Sequence, residues 1–139
     1  VFTFPLHWFG TPAILKGWFE RVCISGPFYG GKRIYGEGGL KGKRAFTAFA
    51  LGGRPHMFGE GSIHGPLETG MMKHFFQGTL GYMGLDVIEP FIAWHVPYIS
   101  EDARKQMLVD LSEYVRTLDR QPLIEIPDIT NFNDRFEPK

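Results

Sequence analysis

Cysteine is almost absent: Cys23 stands alone, so no internal disulfide can form, and its place in an apolar helical stretch beside Val22 and Ile24 suits a buried thiol in a reducing compartment. A cytoplasmic location is the expectation. Net charge is absent too, since 15 Lys and Arg balance 15 Asp and Glu, and a chain without a broad field of one sign is a poor partner for nucleic acid or acidic lipid. No apolar run approaches the roughly 20 residues that a membrane helix needs, and no basic segment leads into a signal-peptide core at the first residues. This excludes membrane insertion but not docking onto a membrane protein. The chain also lacks a Gly-x-Ser-x-Gly nucleophile elbow, a Walker-type phosphate loop and a Gly-x-Gly-x-x-Gly dinucleotide fingerprint. His56, His74 and His95 have no spacing that suits a metal, and no metal site is expected.

What the sequence holds in quantity is aromatic side chains and glycine: 13 Phe, 5 Tyr and 3 Trp among 18 Gly. That mixture fits rings lining a pocket with backbone packed closely around it, or simply a core that favours Phe. With 43% hydrophobic residues in 139, the chain can bury one sizeable core as a single domain.

Residues 1–4 read as the end of a buried strand, stopped by Pro5. Thr11-Pro12 reads as an N-cap and first-turn pair, and the spacing of Ala13, Ile14, Gly17, Trp18, Arg21 and Val22 predicts a helix with that face buried, ending near Ser25-Gly26-Pro27. The glycine-dense stretch 28–43 reads as a long surface excursion. Ala45 to Leu51 is a short apolar run bounded by Gly52-Gly53, the pattern of a central parallel strand. A second loop, 52–66, leads to a helix with Met71, Met72, Phe75, Phe76, Thr79, Leu80 and Met83 on its apolar face and Gly84 as C-cap. Leu85 to Val96 reads as an edge strand because it contains Pro90. Ser100-Glu101-Asp102 opens the last helix, whose predicted buried stripe is Ala103, Met107, Leu111, Val115 and Leu118. The tail, 120–139, carries Pro122, Pro127 and Pro138 with little periodicity and should wrap over a surface or a neighbouring subunit.

Strand and helix thus alternate about three times, the order of a doubly wound parallel α/β sheet. Right-handed crossovers bring the loops after the strands to one edge, where ligands bind. Loops 5–10 and 52–66 hold most of the unusual residues. Trp8 and Phe9 either await a flat ligand or close the base of their own helix, and spacing alone leaves both open. Gly52-Gly53 permits close approach of backbone amides to a ligand, although such a pair is more often just a turn. His64, set between Ile63 and Gly65 before a helix, can project into a site, although an isolated histidine of this kind is ordinarily a plain loop residue.

The run from Phe4 to Val22, FPLHWFGTPAILKGWFERV, closely resembles the NAD(P)H:quinone oxidoreductases of the DT-diaphorase type. It is similar as well to their bacterial relatives, the general NAD(P)H oxidoreductases and the ancillary flavoproteins of glutathione-gated potassium efflux systems. The likeness continues through Gly52-Gly53, Met57-Phe58, Ile63-His64-Gly65 and the stretch 84–90, and so spans about residues 1 to 118. It implies a flavodoxin-like fold of which residues 1–139 are the C-terminal portion, starting inside the fold, with 120–139 as an extension. It also implies a homodimer with active sites at the interface, and FAD or FMN passing hydride by a ping-pong route from NADH or NADPH to a quinone or similar acceptor. A regulatory flavoprotein bound to a potassium efflux transporter is the alternative function.

By motif, Pro5, Leu6, His7, Trp8 and Phe9 would wrap the flavin ring, and Ala50, Leu51, Gly52 and Gly53 would form the second wall. Family members often carry two threonines where Ala50 and Leu51 stand, so those two positions offer backbone contacts only. Phe58 occupies the place of a tyrosine that partners the catalytic histidine matched by His64, and without a hydroxyl it leaves His64 to act alone or with water. Tyr29, with Trp8 and His64, is the substrate-pocket residue that the resemblance implies, Tyr29 being supplied to the partner subunit.

Overall fold

The computed structural model describes residues 1–139. Strand β1 (Phe2–Pro5) is followed by helix α1 (Ala13–Val22), then by β2 (Arg44–Ala45) and β3 (Thr47–Ala50), which are consecutive pieces of one extended segment. A helical run leads to β4 (Asp86–Val87) and β5 (Phe91–Ala93), and α3 (Glu101–Arg116) follows. All pairings are parallel: β1 and β5 flank β3, and β4 pairs with β2. The apolar run 45–51 is therefore central, as its composition requires. The 85–96 segment is two strands rather than one, because Pro90 interrupts it between them, and β5 lies at the sheet edge. The outer side of β1 has no strand partner.

One face of the sheet carries the main core. Phe4 stacks on Phe49 with ring centres 5.7 Å apart, and Phe19, Phe75, Phe76, Leu80 and Met83 close over them. On α1 the buried side is Leu15, Phe19 and Cys23, at four-residue spacing, whereas the predicted face of Ile14, Trp18 and Val22 is exposed. The helix bears apolar residues on two sides, and the sheet takes the one that brings Phe19 onto Phe2 and Phe75. Thr11 does not cap it: Pro12 is the N-cap, with no side-chain hydrogen bond.

The 67–83 run is helical but irregular. A π-helical turn (Leu67–Met71), a short α-helical piece, α2 (Lys73–Phe75), a second π turn (Phe76–Leu80) and a 3-10 turn (Gly81–Met83) follow one another. Leu67 and Met72 are both buried although five residues apart, a spacing that 3.6 residues per turn cannot keep on one face, and the Met72 N–H donates to Leu67 O at 2.7 Å. The wide turns align the apolar residues with the sheet. Gly84 ends the run in the left-handed region at φ 95°, as predicted.

The stretch 28–43 is docked, not a free excursion. Ile34 is buried, the Leu40 N–H donates to Met83 O at 2.8 Å, and a Cβ on Gly38 would lie 2.3 Å from the Met83 carbonyl. Its glycines serve close packing.

On the opposite face lies α3, capped by Ser100, whose Oγ accepts from the Ala103 N–H at 3.2 Å. It contacts the sheet through Leu111 and Tyr114, joined by Leu118 just beyond its C-terminus, against Phe46, Ala48, Ile88 and Phe91. Ala103 and Val115, placed in the predicted stripe, are exposed, and no residue of α3 is fully buried. The tail folds back on its own chain: Ile88 pairs with Leu123, the Ile124 N–H donates to Val87 O at 2.8 Å, and Ile126 seats against Gly81. No helix is long and apolar enough to cross a membrane.

Candidate functional site

Parallel pairing puts the ends of β1, β3 and β5 at one edge, and the loops beyond them build an open cleft of about 530 Å³. Leu6, Trp8 and Phe9 come from the first loop, Leu51, Gly52, Gly53, Phe58 and His64 from the second, and His95 with Tyr98 from the third.

The first loop is a two-residue reversal. His7 and Gly10 exchange backbone hydrogen bonds at 3.0 and 2.9 Å, and the residues between them, Trp8 and Phe9, both adopt positive φ, 49° and 57°. Such a turn is normally given to Asn and Gly, so two large aromatics there are strained by roughly 1–3 kcal/mol each. Trp8 is 99% exposed, which removes one of the two readings open from sequence: it does not close the base of its helix. Phe9 does pack, with its ring 5.1 Å from His64 and 6.1 Å from Phe58. Of five non-glycine residues at positive φ, three (Trp8, Phe9 and His95) line this cleft.

The second loop supplies polar groups. The N–H groups of Gly52 and Gly53 donate to no carbonyl of the chain, leaving two backbone donors free beside the aromatic walls. Phe58 lies so close over Gly53 that a Cβ there would stand 2.7 Å from its ring, which explains the glycine. The imidazole of His64 packs against both Phe9 and Phe58, 5.1 Å from each ring centre, and its backbone N–H is tied to Met57 O at 3.1 Å. Phe58 also meets Trp94 at 5.4 Å. Apolar planes with a few convergent donors form the chemistry of a site for a flat heteroaromatic ring with an acceptor-bearing edge.

Not every predicted residue joins. Pro5 and Ala50, paired across β1 and β3, line an apolar groove under α3 instead, with their backbones joined through Leu6 N–H to Ala50 O at 2.8 Å. His7 is exposed and holds the turn through its backbone, outside the cleft lining. Tyr29 is remote within this chain: it lies in a separate cleft with Lys16, Cys23 and Tyr82, its ring 5.5 Å from that of Tyr82. Burial pushes the Cys23 thiol above its ordinary value, the reverse of what a reactive thiolate needs. No group of three His, Cys, Asp or Glu converges as metal ligands would.

Sequence reasoning missed Arg54, Met57, His95 and Tyr98. Topology alone points to the last two, because the loop after the third parallel strand must reach the same edge as the other two. The apolar groove, about 490 Å³ and lined by Thr3, Phe91, Val96, Met107 and Leu111 among others, is the weaker candidate for chemistry. Its one charged side chain, Arg104, donates to Val96 O at 3.3 Å.

Comparison with known proteins agrees with this architecture. Rat NAD(P)H dehydrogenase [quinone] 1 is 34% identical over 128 residues, covering 91% of this chain and 46% of the relative. The chain thus spans about half the length of the curated relatives it matches. A Klebsiella pneumoniae protein, solved as a candidate quinone reductase, superposes with a TM-score of 0.80 at 27% identity over 97% of this chain and 52% of that one. General stress protein 14 of Treponema denticola, solved in complex with FMN, gives 0.66 at 28% identity over 84% of this chain and 62% of that one. The sequence model of the flavodoxin-like fold matches residues 1–115, which hold every strand and the whole cleft, and the chain belongs to that family.

Proposed function

We propose that the protein is a flavin-dependent NAD(P)H:quinone oxidoreductase whose residues 1–139 form the C-terminal portion of one flavodoxin-like domain, acting as a homodimer in the cytoplasm. The observation that carries this reading is the pair of free amides on Gly52 and Gly53 in the cleft that the Phe9 and Phe58 rings also line. The open apolar face beneath α3 and the unpaired edge of β1 support the view that more of the domain packs there.

When bound, FAD or FMN would supply the hydride chemistry, taking hydride from NADH or NADPH and giving it to a quinone in the same pocket. The protein's part is to hold, orient and exclude water. Leu6, Trp8 and Phe9 from the first loop and Leu51 and Phe58 from the second would line the ring's site. Gly52 and Gly53 would offer amide dipoles to the acceptor edge, and these count for more once a bound ring displaces water from the open cleft. The His64 imidazole, held by the Phe9 and Phe58 rings, steadies charge that develops there. Pro5, His7 and Ala50 act through the backbone that shapes the walls, and Tyr29 serves the pocket of the partner subunit.

Two variants of the full-length protein separate binding from chemistry. Trp8→Ala should lose flavin and visible absorption while the flavin-free protein keeps the melting temperature of flavin-free wild type, since the side chain is 99% exposed and packs on nothing. His64→Ala should keep its flavin but slow NAD(P)H-driven bleaching in stopped flow by roughly tenfold to a hundredfold, near the low end of acid–base effects. A colourless wild-type protein that neither binds flavin nor reduces quinones would sink the proposal.

A further inference from the structure

The third loop of the cleft has a feature that neither wall explains. His95 Nδ1 lies 2.7 Å from the Gly52 carbonyl oxygen, and the His95 backbone N–H donates to Gly53 O at 2.9 Å. A carbonyl only accepts, so Nδ1 carries the proton and donates. His95 reaches this position in the left-handed region, at φ 57°, a conformation that β-branched and bulky residues avoid. Its ring is backed by Tyr98, 4.9 Å away, whose N–H donates to His95 O at 2.9 Å and whose own ring sits 3.5 Å from where a Gly52 Cβ would be.

The consequence follows from the planarity of the peptide. In the unit joining Gly52 to Gly53, the carbonyl oxygen and the N–H point in opposite directions. Gly52 and Gly53 lie in a bend outside any strand, where rotation of that plane would be the easiest motion available to the wall. A hydrogen bond to the oxygen therefore fixes the direction of the hydrogen. We propose that His95 is a positioning residue: by holding the Gly52 carbonyl, it aims the free Gly53 N–H at the acceptor edge of a planar heteroaromatic ligand in the cleft. This rests on the flavin reading above, and it adds the group that makes the Gly52-Gly53 wall rigid. The clamp joins the second loop to the third, so the donor's direction is set by two strands, β3 and β5, rather than by a mobile turn.

Asn and Asp at position 95 provide the test, because both are short, both tolerate the left-handed region, and they differ in whether a donor faces the carbonyl. Asn places an amide N–H near the position of Nδ1, while Asp sets oxygen against oxygen. In fluorescence titrations with FMN and, separately, FAD, His95→Asn should bind within about threefold of wild type, and His95→Asp should bind about tenfold more weakly, the scale of one lost hydrogen bond. The Gly53 amide proton should shift in His95→Asp and not in His95→Asn.

Equal affinity in His95→Asp and wild type, or equal losses in both variants, would overturn the proposal. The ring can also be read without flavin, since a long-range nitrogen–proton correlation on the unliganded wild type reports the tautomer. Protonation of Nε2 alone would remove the clamp whatever the flavin does. If the wild type binds neither flavin yet shows a protonated Nδ1 and the amide shift confined to His95→Asp, the clamp stands and the flavin reading fails.

Discussion

On one side of the sheet Phe4 and Phe49 stack 5.7 Å apart beneath Phe19, Phe75 and Phe76, while on the other Phe46 and Ala48 meet only the half-buried side of α3, beside a groove of about 490 Å³. The strands are the same, and alternate residues of each serve opposite faces. The difference lies in what covers them. Two helical segments and the docked 28–43 stretch cover the first face, whereas α3 alone covers the second and buries none of its own residues completely. The cleft is built at the end of the strands, where both faces meet, so its walls inherit the rigidity of the packed side. Phe58 and Leu6 both pack against the main core, and through them the aromatic planes of the cleft are tied to it.

The comparison is broken most directly by emptying the packed face. Phe76 is fully buried, and Phe76→Ala should cost about 3–5 kcal/mol, a large part of the roughly 5–15 kcal/mol that holds a domain together. Urea denaturation should show a midpoint moved far down, or no folded baseline. Leu111→Ala makes the matching cut on the open face, where the side chain is only partly buried and borders the groove. Its cost should be near 1 kcal/mol, because the leucine loses little that water does not already share. Equal midpoints for the two variants would mean that α3 packs as tightly as the other side. Should a ligand or partner fill the groove in solution, the Leu111→Ala loss should rise toward that of a fully buried leucine, about 2–5 kcal/mol, and adding the occupant would show it.

The same contrast explains what the sequence made legible. The strand and helix order, the central place of 45–51 and the Gly84 stop were readable because each rests on local chemistry: apolar length, turn residues and the left-handed preference of glycine. The buried side of α1 was not, because Ile14-Trp18-Val22 and Leu15-Phe19-Cys23 are both apolar stripes at helical spacing and only tertiary contact selects between them. The 67–83 run hid its wide turns for a related reason, since Met71-Met72 and Phe75-Phe76 are adjacent apolar pairs that suit several phases of a helix. Of the candidate site, the residues matched by motif came together in six cases (Leu6, Trp8, Phe9, Leu51, Phe58 and His64), along with both glycines. Topology could have brought His95 to this edge, but its bond to Gly52 was not legible, because it crosses 43 positions of sequence and depends on a left-handed backbone that nothing around it announces.

The smallest effect should come from a flaw in the packed face itself. Thr47 is completely buried, and its Oγ1 has no hydrogen-bond partner. Two residues from Phe49 along β3, it shares the face on which the aromatic core is built. A buried hydroxyl without a partner forfeits the bonds it made to water in the unfolded chain, at about 1–3 kcal/mol. Valine has nearly the same shape and is at least as suited to a strand. Thr47→Val should therefore stabilise the fold by about 1 kcal/mol, read as a rise of a few degrees in melting temperature for a chain of this size. The same exchange at Thr3, which is exposed toward the groove, should change little, since its hydroxyl already has water. If Thr47→Val melts lower than wild type, the hydroxyl has a partner in solution, and the packed face is less dry than its aromatic lining implies.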